Sequence, residues 1–503
     1  MSTFNDNPNR RVIPRWRNSL IALELGELQP LPVREPTTFT DEETFDERLT
    51  EWQANPTLPY ASDLLSVAVV LNRFDAVRDA AEFVLSPSVD APLAARRLAN
   101  RALSISEEEA PDDSVAGHEQ RLRAALARAR ARLRLYPRDP LVLVDQSRLY
   151  ALAGRLDKAQ DAMRRAVALA PDDRFVLRSA ARLNLHQHNP NEALRLLRGS
   201  TRTRVDPWLL AAEVAAASVA GKSTRYVREG RRILASDLDP WHLNELASAF
   251  GTLEIQDGTK SHARRLFTQA LRAPTDNTIA QVQWAERYVP SLTLSADMWK
   301  RPRVYEARAW DKYASGHWRE AFAASEEWLK DELFASRPAL MGTFVSAVLL
   351  EDFEASARIA RIGLHANPDE QVLRNNLVFA LASAGRIDEA EKEASTVRAS
   401  HLTEIGGQIA WTATRGLLAF RRGRFDEGRS LYMQALDGSK AYTQNHAFAA
   451  AFLAREEIIA RTPEASGALQ RAENNAKTLG SMAVGDLLER LRRLAATLDA
   501  LRV

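Results

Sequence analysis

The 503-residue chain contains no cysteine, which excludes disulfide bridges, thiolate nucleophiles and cysteine-ligated zinc. Lysine is scarce too, since nine of the 68 basic residues are lysines and the other 59 are arginines. A GC-rich coding genome explains most of this bias, although arginine also suits bidentate contacts with carboxylates and phosphates. The formal net charge is only +2, so the chain has no strong overall positive field that would attract nucleic acid.

Long hydrophobic runs and catalytic motifs are also missing. The longest tight apolar runs, such as residues 64–71, cover about two helical turns, whereas a membrane span needs about 20 residues. The first residues are polar and contain no apolar signal core, so we expect a cytoplasmic protein. No HExxH, GxSxG or kinase-type motif occurs. We therefore predict that the protein is not an enzyme and has no catalytic, cofactor-binding or metal-binding residues.

The chain does contain a short phrase that returns: a small turn residue, an apolar residue two positions later, then a polar residue that can start a helix. The clearest copies begin at Gly154, Gly385 and Gly423, and looser copies begin at Asn72 and Gly316. Such a phrase joins the two helices of a hairpin, and the chain is far too long for one compact core. Repeated hairpins predict a solenoid of stacked helix pairs.

The spacing of the copies supports a solenoid. With Pro140 as position one, the small residues Ser147 and Ala159 stand at positions eight and twenty, and the next copy starts at Arg174, 34 residues later. Further copies start at Pro302, Arg337 and Gln371. This pattern and period resemble the tetratricopeptide repeat (TPR) family. The resemblance implies an all-α fold, an α–α superhelix of antiparallel helix pairs, here with an extended N-terminal arm.

The polar residue of each phrase also predicts where helices begin and end. Asp157, Asp388 and Asp426 are of the type that caps a helix N-terminus, so we expect them to cap the second helix of their hairpins. Pro171 and Pro368 occupy the same repeat position, and proline cannot continue a helix, so we expect the second helix to end just before them.

Changes in the pattern predict five parts along the chain. Residues 1–40 contain prolines and no sustained helical period, which indicates an extended arm. Residues 41–288 form a first, partly degenerate block of helical repeats, and residues 289–303 a connector. Residues 304–440 form a second block, and residues 441–503 form C-terminal helices with a cap.

In TPR arrays the first helix of each hairpin lines the concave face, and the resemblance places two sets of residues there. The first block would present a basic wall that suits a carboxylate or phosphate of a partner; it consists of Arg148, Arg178, Arg182 and His186. Pairing with acidic residues of neighbouring hairpins is the alternative. The second block would present an apolar wall that suits an amphipathic helix or an extended peptide; it consists of Trp310, Tyr313, Met341, Val345, Phe379, Leu417 and Phe420. Burial against the chain's own arm or helices is the alternative there.

Two further segments are candidates for binding. In the arm, charge is combined with one large aromatic anchor, which suits docking in a groove of this chain or of another; the residues are Arg11, Arg15, Trp16 and Arg17. Residues 119–138 contain seven arginines and one acid, with a leucine stripe along one side of the predicted helix. They could bind nucleic acid or an acidic protein, or the arginine stems could cover the edges of the buried stripe.

These features favour a non-catalytic TPR scaffold or adaptor that binds partner proteins through its concave surface and its arm. The expected partner is a protein that presents a peptide or a helix to the groove, with no membrane role; a homo-oligomer is also open. Two other functions remain open, namely a nucleic-acid-associated regulator and an accessory subunit of an enzyme complex whose catalyst is a separate chain.

Overall fold

The computed structural model describes residues 10–19, 41–71, 73, 75–103, 115–402, 404–477 and 479–500. These residues form helices joined by turns, and no strand occurs among them, so the predicted all-α fold is confirmed for this part of the chain. None of the described helices combines the length and apolar character that a membrane crossing requires.

The chain divides into two compact units, of which the smaller comprises residues 25–118. Its helices are α1 (Asp41–Ala54), α2 (Leu58–Leu71), α3 (Arg78–Leu85) and α4 (Leu93–Ala102). They enclose an apolar core in which Leu64 and Leu65 are fully buried and Trp52 packs edge-on against Phe83. The Asn72 copy of the turn phrase falls here, and its residues Asn72 and Phe74 lie outside the described residues.

The larger unit comprises residues 1–24 and 119–503. Its helices begin with α5 (Val115–Leu135), which belongs to this unit from Glu119 onward. The first repeat block continues with α6 (Pro140–Leu152), α7 (Leu156–Leu169), α8 (Arg174–His186), α9 (Pro190–Gly199), α10 (Pro207–Val219), α11 (Val227–Leu234), α12 (Pro240–Asp257), α13 (Lys260–Ala270) and α14 (Asp276–Ala285). A short helix α15 (Ala296–Lys300) lies in the predicted connector.

The remaining helices of the larger unit follow the same hairpin pattern. They are α16 (Tyr305–Ala314), α17 (Trp318–Asp331), α18 (Ser336–Phe344), α19 (Phe353–Ala366), α20 (Gln371–Ser383), α21 (Ile387–Ala394), α22 (Ile405–Arg421), α23 (Phe425–Ser439), α24 (Thr443–Ala460), α25 (Ala465–Ala476) and α26 (Met482–Ala500). A π-helical turn, Val345–Leu349, extends α18. Consecutive helices pack against each other as pairs, which is the TPR-type architecture that the sequence predicts. The predicted boundaries between blocks stay predictions.

The repeated phrase contains glycine because the middle residue of a three-residue elbow has a left-handed backbone. Six elbows of this length have a middle residue with positive φ; these residues are Gly154, His188, Gly316, Glu351, Gly385 and Gly423. In the elbow of Gly385, the N–H of Arg386 donates to the carbonyl of Leu381 at 2.9 Å and so satisfies an otherwise free carbonyl of the preceding helix. Because only glycine adopts this backbone without strain, four of these six elbows have glycine at the middle position.

Three helix starts differ from the sequence-based prediction by two residues. The helices α7, α21 and α23 begin at the apolar residue of the phrase, so Asp157, Asp388 and Asp426 lie inside the first turn and do not cap it. The capping prediction was therefore wrong, although a carboxylate in the first turn still stabilises the helix dipole. Aspartates do cap several first helices: Asp139, for example, accepts hydrogen bonds from the N–H groups of Leu141 and Val142. The predicted stops are confirmed, since α7 and α19 end two residues before a proline.

Two elbow variants test the role of the left-handed residue. His188 has a φ of 56° and costs about 1–2 kcal/mol of strain as a non-glycine residue. Glycine would relieve that strain but would lose about 0.5–1 kcal/mol through the greater freedom of the unfolded chain. We therefore expect His188→Gly to raise the urea midpoint of unfolding slightly, as followed by circular dichroism.

Gly385→Ala is the opposite change, at a residue with a φ of 80°. No atom lies within 4 Å of the new methyl group, so only the backbone strain acts, and the variant should lower the urea midpoint. Equal shifts in the same direction would contradict this account.

Candidate partner-binding groove

Residues 10–19 of the N-terminal arm lie in a groove on the inner helices of the larger unit. Residues 10–18 have no regular secondary structure. We call the surface that holds them the arm groove, and define it by Asp145 and Arg148 of α6, Arg182 and His186 of α8, Asp276, Asn277 and Gln281 of α14, Glu306 of α16, and Asp331, Glu332 and Phe334 at the end of α17. The arm thus joins helices that are far apart in the sequence.

Three arginines of the arm bind four carboxylates of the groove. Arg10 holds Glu306 in a bidentate pair, with N–O distances of 3.0 and 2.8 Å. Arg17 lies between Asp276 and Asp331, at 2.8 and 2.6 Å. Arg15 contacts Glu306 at 2.6 Å and Asp276 at 3.2 Å, and it also pairs with Glu332. Bidentate guanidinium–carboxylate pairs have strict geometry, so this contact fixes the register of the arm.

Two of these carboxylates, Glu306 and Asp276, have a lowered pKa because the arm places positive charge beside them. Burial alone raises the pKa of Glu306, but the guanidinium groups of Arg10, Arg337 and Arg15 outweigh burial and hold its pKa well below the ordinary value. The pKa of Asp276 is lowered in the same way, since Arg17 and Arg15 outweigh the effect of burial. Without the arm, both carboxylates would be left with much less positive charge nearby.

The groove also binds the main chain of the arm. The side-chain amide of Asn277 donates to the carbonyl of Ile13 at 3.0 Å, and that of Gln281 donates to the carbonyl of Arg10 at 3.1 Å. Arg148 donates to the carbonyl of Trp16 at 3.0 Å. At the far end, both the N–H and the hydroxyl of Ser19 donate to the carboxylate of Asp145, at 2.8 and 2.7 Å. Main-chain contacts of this kind hold any extended segment, whatever its side chains.

Trp16 is the apolar anchor of the arm. Its side chain is 0% exposed, and its ring packs edge-on against Phe334 with the centroids 5.3 Å apart. It belongs to one buried cluster with Leu143, Val144 and Val176 of α6 and α8. Its indole Nε1 has no hydrogen-bond partner among the described residues, so the ring is held by packing. A fully buried tryptophan surrounded by ion pairs is typical of a binding hot spot.

The basic wall predicted from the sequence lies in or beside the arm groove, and three of its members already have contacts. Arg148 binds the arm, as described above, while Arg178 pairs with Glu245 at 2.9 Å and covers the ring of Trp208. His186 packs edge-on against Phe334, and burial, aided by Arg182, lowers its pKa to about 3, so it is neutral at physiological pH. Their role in partner binding stays a prediction.

Arg182 differs from the rest of the basic wall. Its guanidinium lies 4.6 Å from the centroid of the Phe334 ring, but it makes no hydrogen bond or ion pair with the described residues. Burial lowers its pKa to about 10, and Glu332 only partly offsets that effect. A partly buried guanidinium without an acceptor can bind an added anion, so this position favours a carboxylate or phosphate.

The apolar wall predicted for the second block is covered by the chain itself. Met341, Val345 and Leu417 are 0% exposed, Trp310, Phe379 and Phe420 are nearly as deeply buried, and Tyr313 is half-buried. Helix α24 accounts for part of this cover, since Phe448 packs on Phe344 and Phe452 packs on Phe379 with centroids 5.8 and 5.2 Å apart. In this conformation the wall offers little surface to a partner, and its binding role stays a prediction.

Of the predicted arm residues, Arg15, Trp16 and Arg17 dock in the groove, while Arg11 is half-buried and donates to Ser218 of α10. The sequence analysis missed the acidic side of the groove. Glu306 could have been found, because it stands at the fifth position of the copy that starts at Pro302, a position that lines the concave face in TPR arrays. Asp331 ends the second helix of a hairpin and Glu332 follows it, and the repeat pattern predicts no concave residue there.

The described residues contain no cluster of three or more histidine or acidic side chains that could hold a metal ion.

No family model and no curated protein matches the chain. Among solved structures it is similar to the APC/C hetero-tetramer Cut9–Hcn1 (13% identity, 90% of this chain and 93% of the other, TM-score 0.38) and to yeast Tom70 (13% identity, 92% and 93%, TM-score 0.29). It is also similar to the TPR domain of P58(IPK), with 11% identity, coverage of 71% and 98%, and a TM-score of 0.23. The assignment of the architecture depends on the helices and elbows of this chain itself.

Removing the charge of Glu306 should release the arm. Glu306→Gln leaves Arg10, Arg15 and Arg337 without their shared carboxylate, and breaking a buried ion pair costs about 3–5 kcal/mol. We expect trypsin to cleave after Arg15 and Arg17 much faster in this variant than in the wild type, at equal helix content. Glu320→Gln is the matched control, because Glu320 pairs with Lys312 at the surface and such pairs contribute about 0–1 kcal/mol. Equal cleavage rates in the two variants would show that Glu306 does not hold the arm.

Proposed function

We propose that the protein is a non-catalytic scaffold that binds partner proteins through the arm groove, and that its own arm occupies the groove until a partner segment replaces it. The observation that supports this proposal is the way residues 10–19 are bound. They lie in the groove as an extended segment, held by side chains and main chain together, which is how a peptide ligand is held.

The groove defines the chemistry of the segment that it accepts. Carboxylates lie where the arm places Arg10, Arg15 and Arg17, and an apolar site lies between the last two. A partner segment with the same pattern would have an arginine, four further residues, and then an arginine, a tryptophan and an arginine. It would have to be extended, because Asn277, Gln281 and Arg148 bind its carbonyl groups.

The tethered arm sets a threshold for any partner. A segment on the same chain acts at an effective concentration of about 1 mM. A partner present at a concentration of about 1 μM must therefore bind the groove about a thousandfold more tightly than the arm does, which corresponds to about 4 kcal/mol of binding free energy. Arg182 offers one source of that advantage, because it lies beside the Trp16 site without an acceptor from the described residues. A partner that adds a carboxylate or phosphate at this point would gain a contact that the arm lacks.

A peptide binding experiment tests the proposal with the full-length chain. The double variant Trp16→Ala with Arg17→Glu should weaken the arm in its groove, since it removes the anchor and reverses one buried charge. A fluorescein-labelled peptide of residues 8–19 should then bind the variant at least tenfold more tightly than it binds the wild type, as measured by fluorescence anisotropy.

Two peptide controls make the result specific. A peptide with alanine in place of Trp16 should bind the same variant about 30-fold more weakly, which corresponds to a hot spot of about 2 kcal/mol. A scrambled peptide of equal charge should bind no better than that. If all three peptides bind alike, the attraction is only electrostatic and the groove is not a receptor. A concentration-dependent dimer of the wild type, with no binding of the free peptide, would instead favour a second copy of this chain as the partner.

A further inference from the structure

The outer face of α5 carries a second interaction surface, which does not depend on the arm groove. We propose that it binds duplex DNA, with the helix lying in the major groove. The inner side of α5 is fixed to the protein, because Leu122 and Leu126 are buried in the same apolar cluster as Trp16 and Leu133 packs against it. The outer side is exposed from Arg123 to Leu135.

The exposed side has a distinct arrangement of large and small residues. At about 100° per residue, Ala124, Ala127 and Ala131 form a central ridge that points away from the leucine stripe. One rail of arginines runs along each side of the ridge: Arg123, Arg130 and Arg134 on one side, and Arg128 and Arg132 on the other. We call these five arginines and three alanines the arginine face. Small side chains on the ridge let the helix approach a surface closely, and the rails can reach outward on both sides.

The arginine face has little negative charge of its own. Residues 120–138 contain no acid. Arg123 pairs with Glu119 and Arg132 pairs with Asp139, but the two arginine side chains are 76% and 61% exposed, and such surface pairs contribute about 0–1 kcal/mol. Arg130 donates to the Tyr150 hydroxyl at 3.3 Å, and Arg128 and Arg134 make no ion pair or hydrogen bond with the described residues. The rails are therefore free to exchange water or weak partners for phosphates.

The dimensions favour B-form DNA over other polyanions. The major groove is about 12 Å wide, and a helix with its side chains is about 10–12 Å across, so a ridge of alanines can enter while each rail meets one phosphate backbone. The major groove of duplex RNA is too narrow for a helix. A membrane surface is disfavoured, because the leucine stripe that would enter the lipid is already buried in the protein.

The test is the binding of the full-length protein to a labelled 24-base-pair DNA duplex, followed by anisotropy between 50 and 200 mM salt. If five arginines contact phosphates, the plot of log affinity against log salt should have a slope of about −4.5. Arg123→Gln, Arg130→Gln and Arg134→Gln together should reduce the slope by about 2.7 and the affinity at least tenfold. The matched control replaces Arg228, Arg231 and Arg232, three exposed arginines of α11, with glutamine. It removes the same charge and should change the affinity less than threefold.

A second variant separates insertion in the groove from simple charge attraction. Ala127→Leu with Ala131→Leu enlarges the ridge at exposed positions without changing the charge. It should weaken the binding of duplex DNA at least fivefold and leave the binding of a single strand of equal length unchanged. Duplex RNA of the same length should bind at least tenfold more weakly than duplex DNA. Equal affinities for the two duplexes, equal effects of the two arginine triples, or no binding at 50 mM salt would each overturn the proposal.

Discussion

The arrangement of the larger unit depends on one buried ionic contact, in which Arg10, Arg15 and Arg17 meet the carboxylates of Asp276, Glu306, Asp331 and Glu332. Neither the arginines nor the carboxylates would be stable alone in such a site, because an unpaired buried charge is strongly unfavourable. The carboxylates come from α14, α16 and the end of α17, so the arm holds together residues from three helices. Any conformation without the arm must either admit water to these carboxylates or supply another cation.

A buried ionic network of this kind contributes more to specificity than to stability. The cost of removing charges from water offsets most of their attraction, and a hydrophobic segment of the same shape would often stabilise a protein as well. What the ion pairs provide is a fixed register, since each guanidinium has a strict geometry. The stabilisation itself comes largely from Trp16, which is 0% exposed and packs on Phe334. This division suits a site where one segment can replace another, because the arginine positions select the segment and the aromatic site retains it.

The two proposed surfaces use arginine in opposite ways. In the arm groove, arginines are the ligand, and acidic side chains of the protein receive them. On the outer face of α5, arginines belong to the receptor and are exposed to solvent. The net charge of +2 conceals this separation, because basic and acidic residues balance over the whole chain but not over each surface.

The amino-acid sequence by itself determined the repeated hairpin. Its glycines mark elbows whose middle residue is left-handed, as at Gly154 and Gly385, and this local backbone requirement can be recognised in any short segment. The starts of α7, α21 and α23 were each missed by two residues, because these helices begin at an apolar residue.

Only the tertiary structure decided what lies against the predicted walls. The repeat pattern placed Phe379 on an apolar wall without deciding what covers it, and helix α24 covers it with Phe452, more than 70 residues later in the chain. The sequence indicated a docking arm but not the groove that receives it, because Arg10 and its partner Glu306 are 296 residues apart. Local periodicity specifies which side of a helix is apolar or charged. Which distant segment lies against that side depends on how all the hairpins stack, and no window of the sequence contains that information.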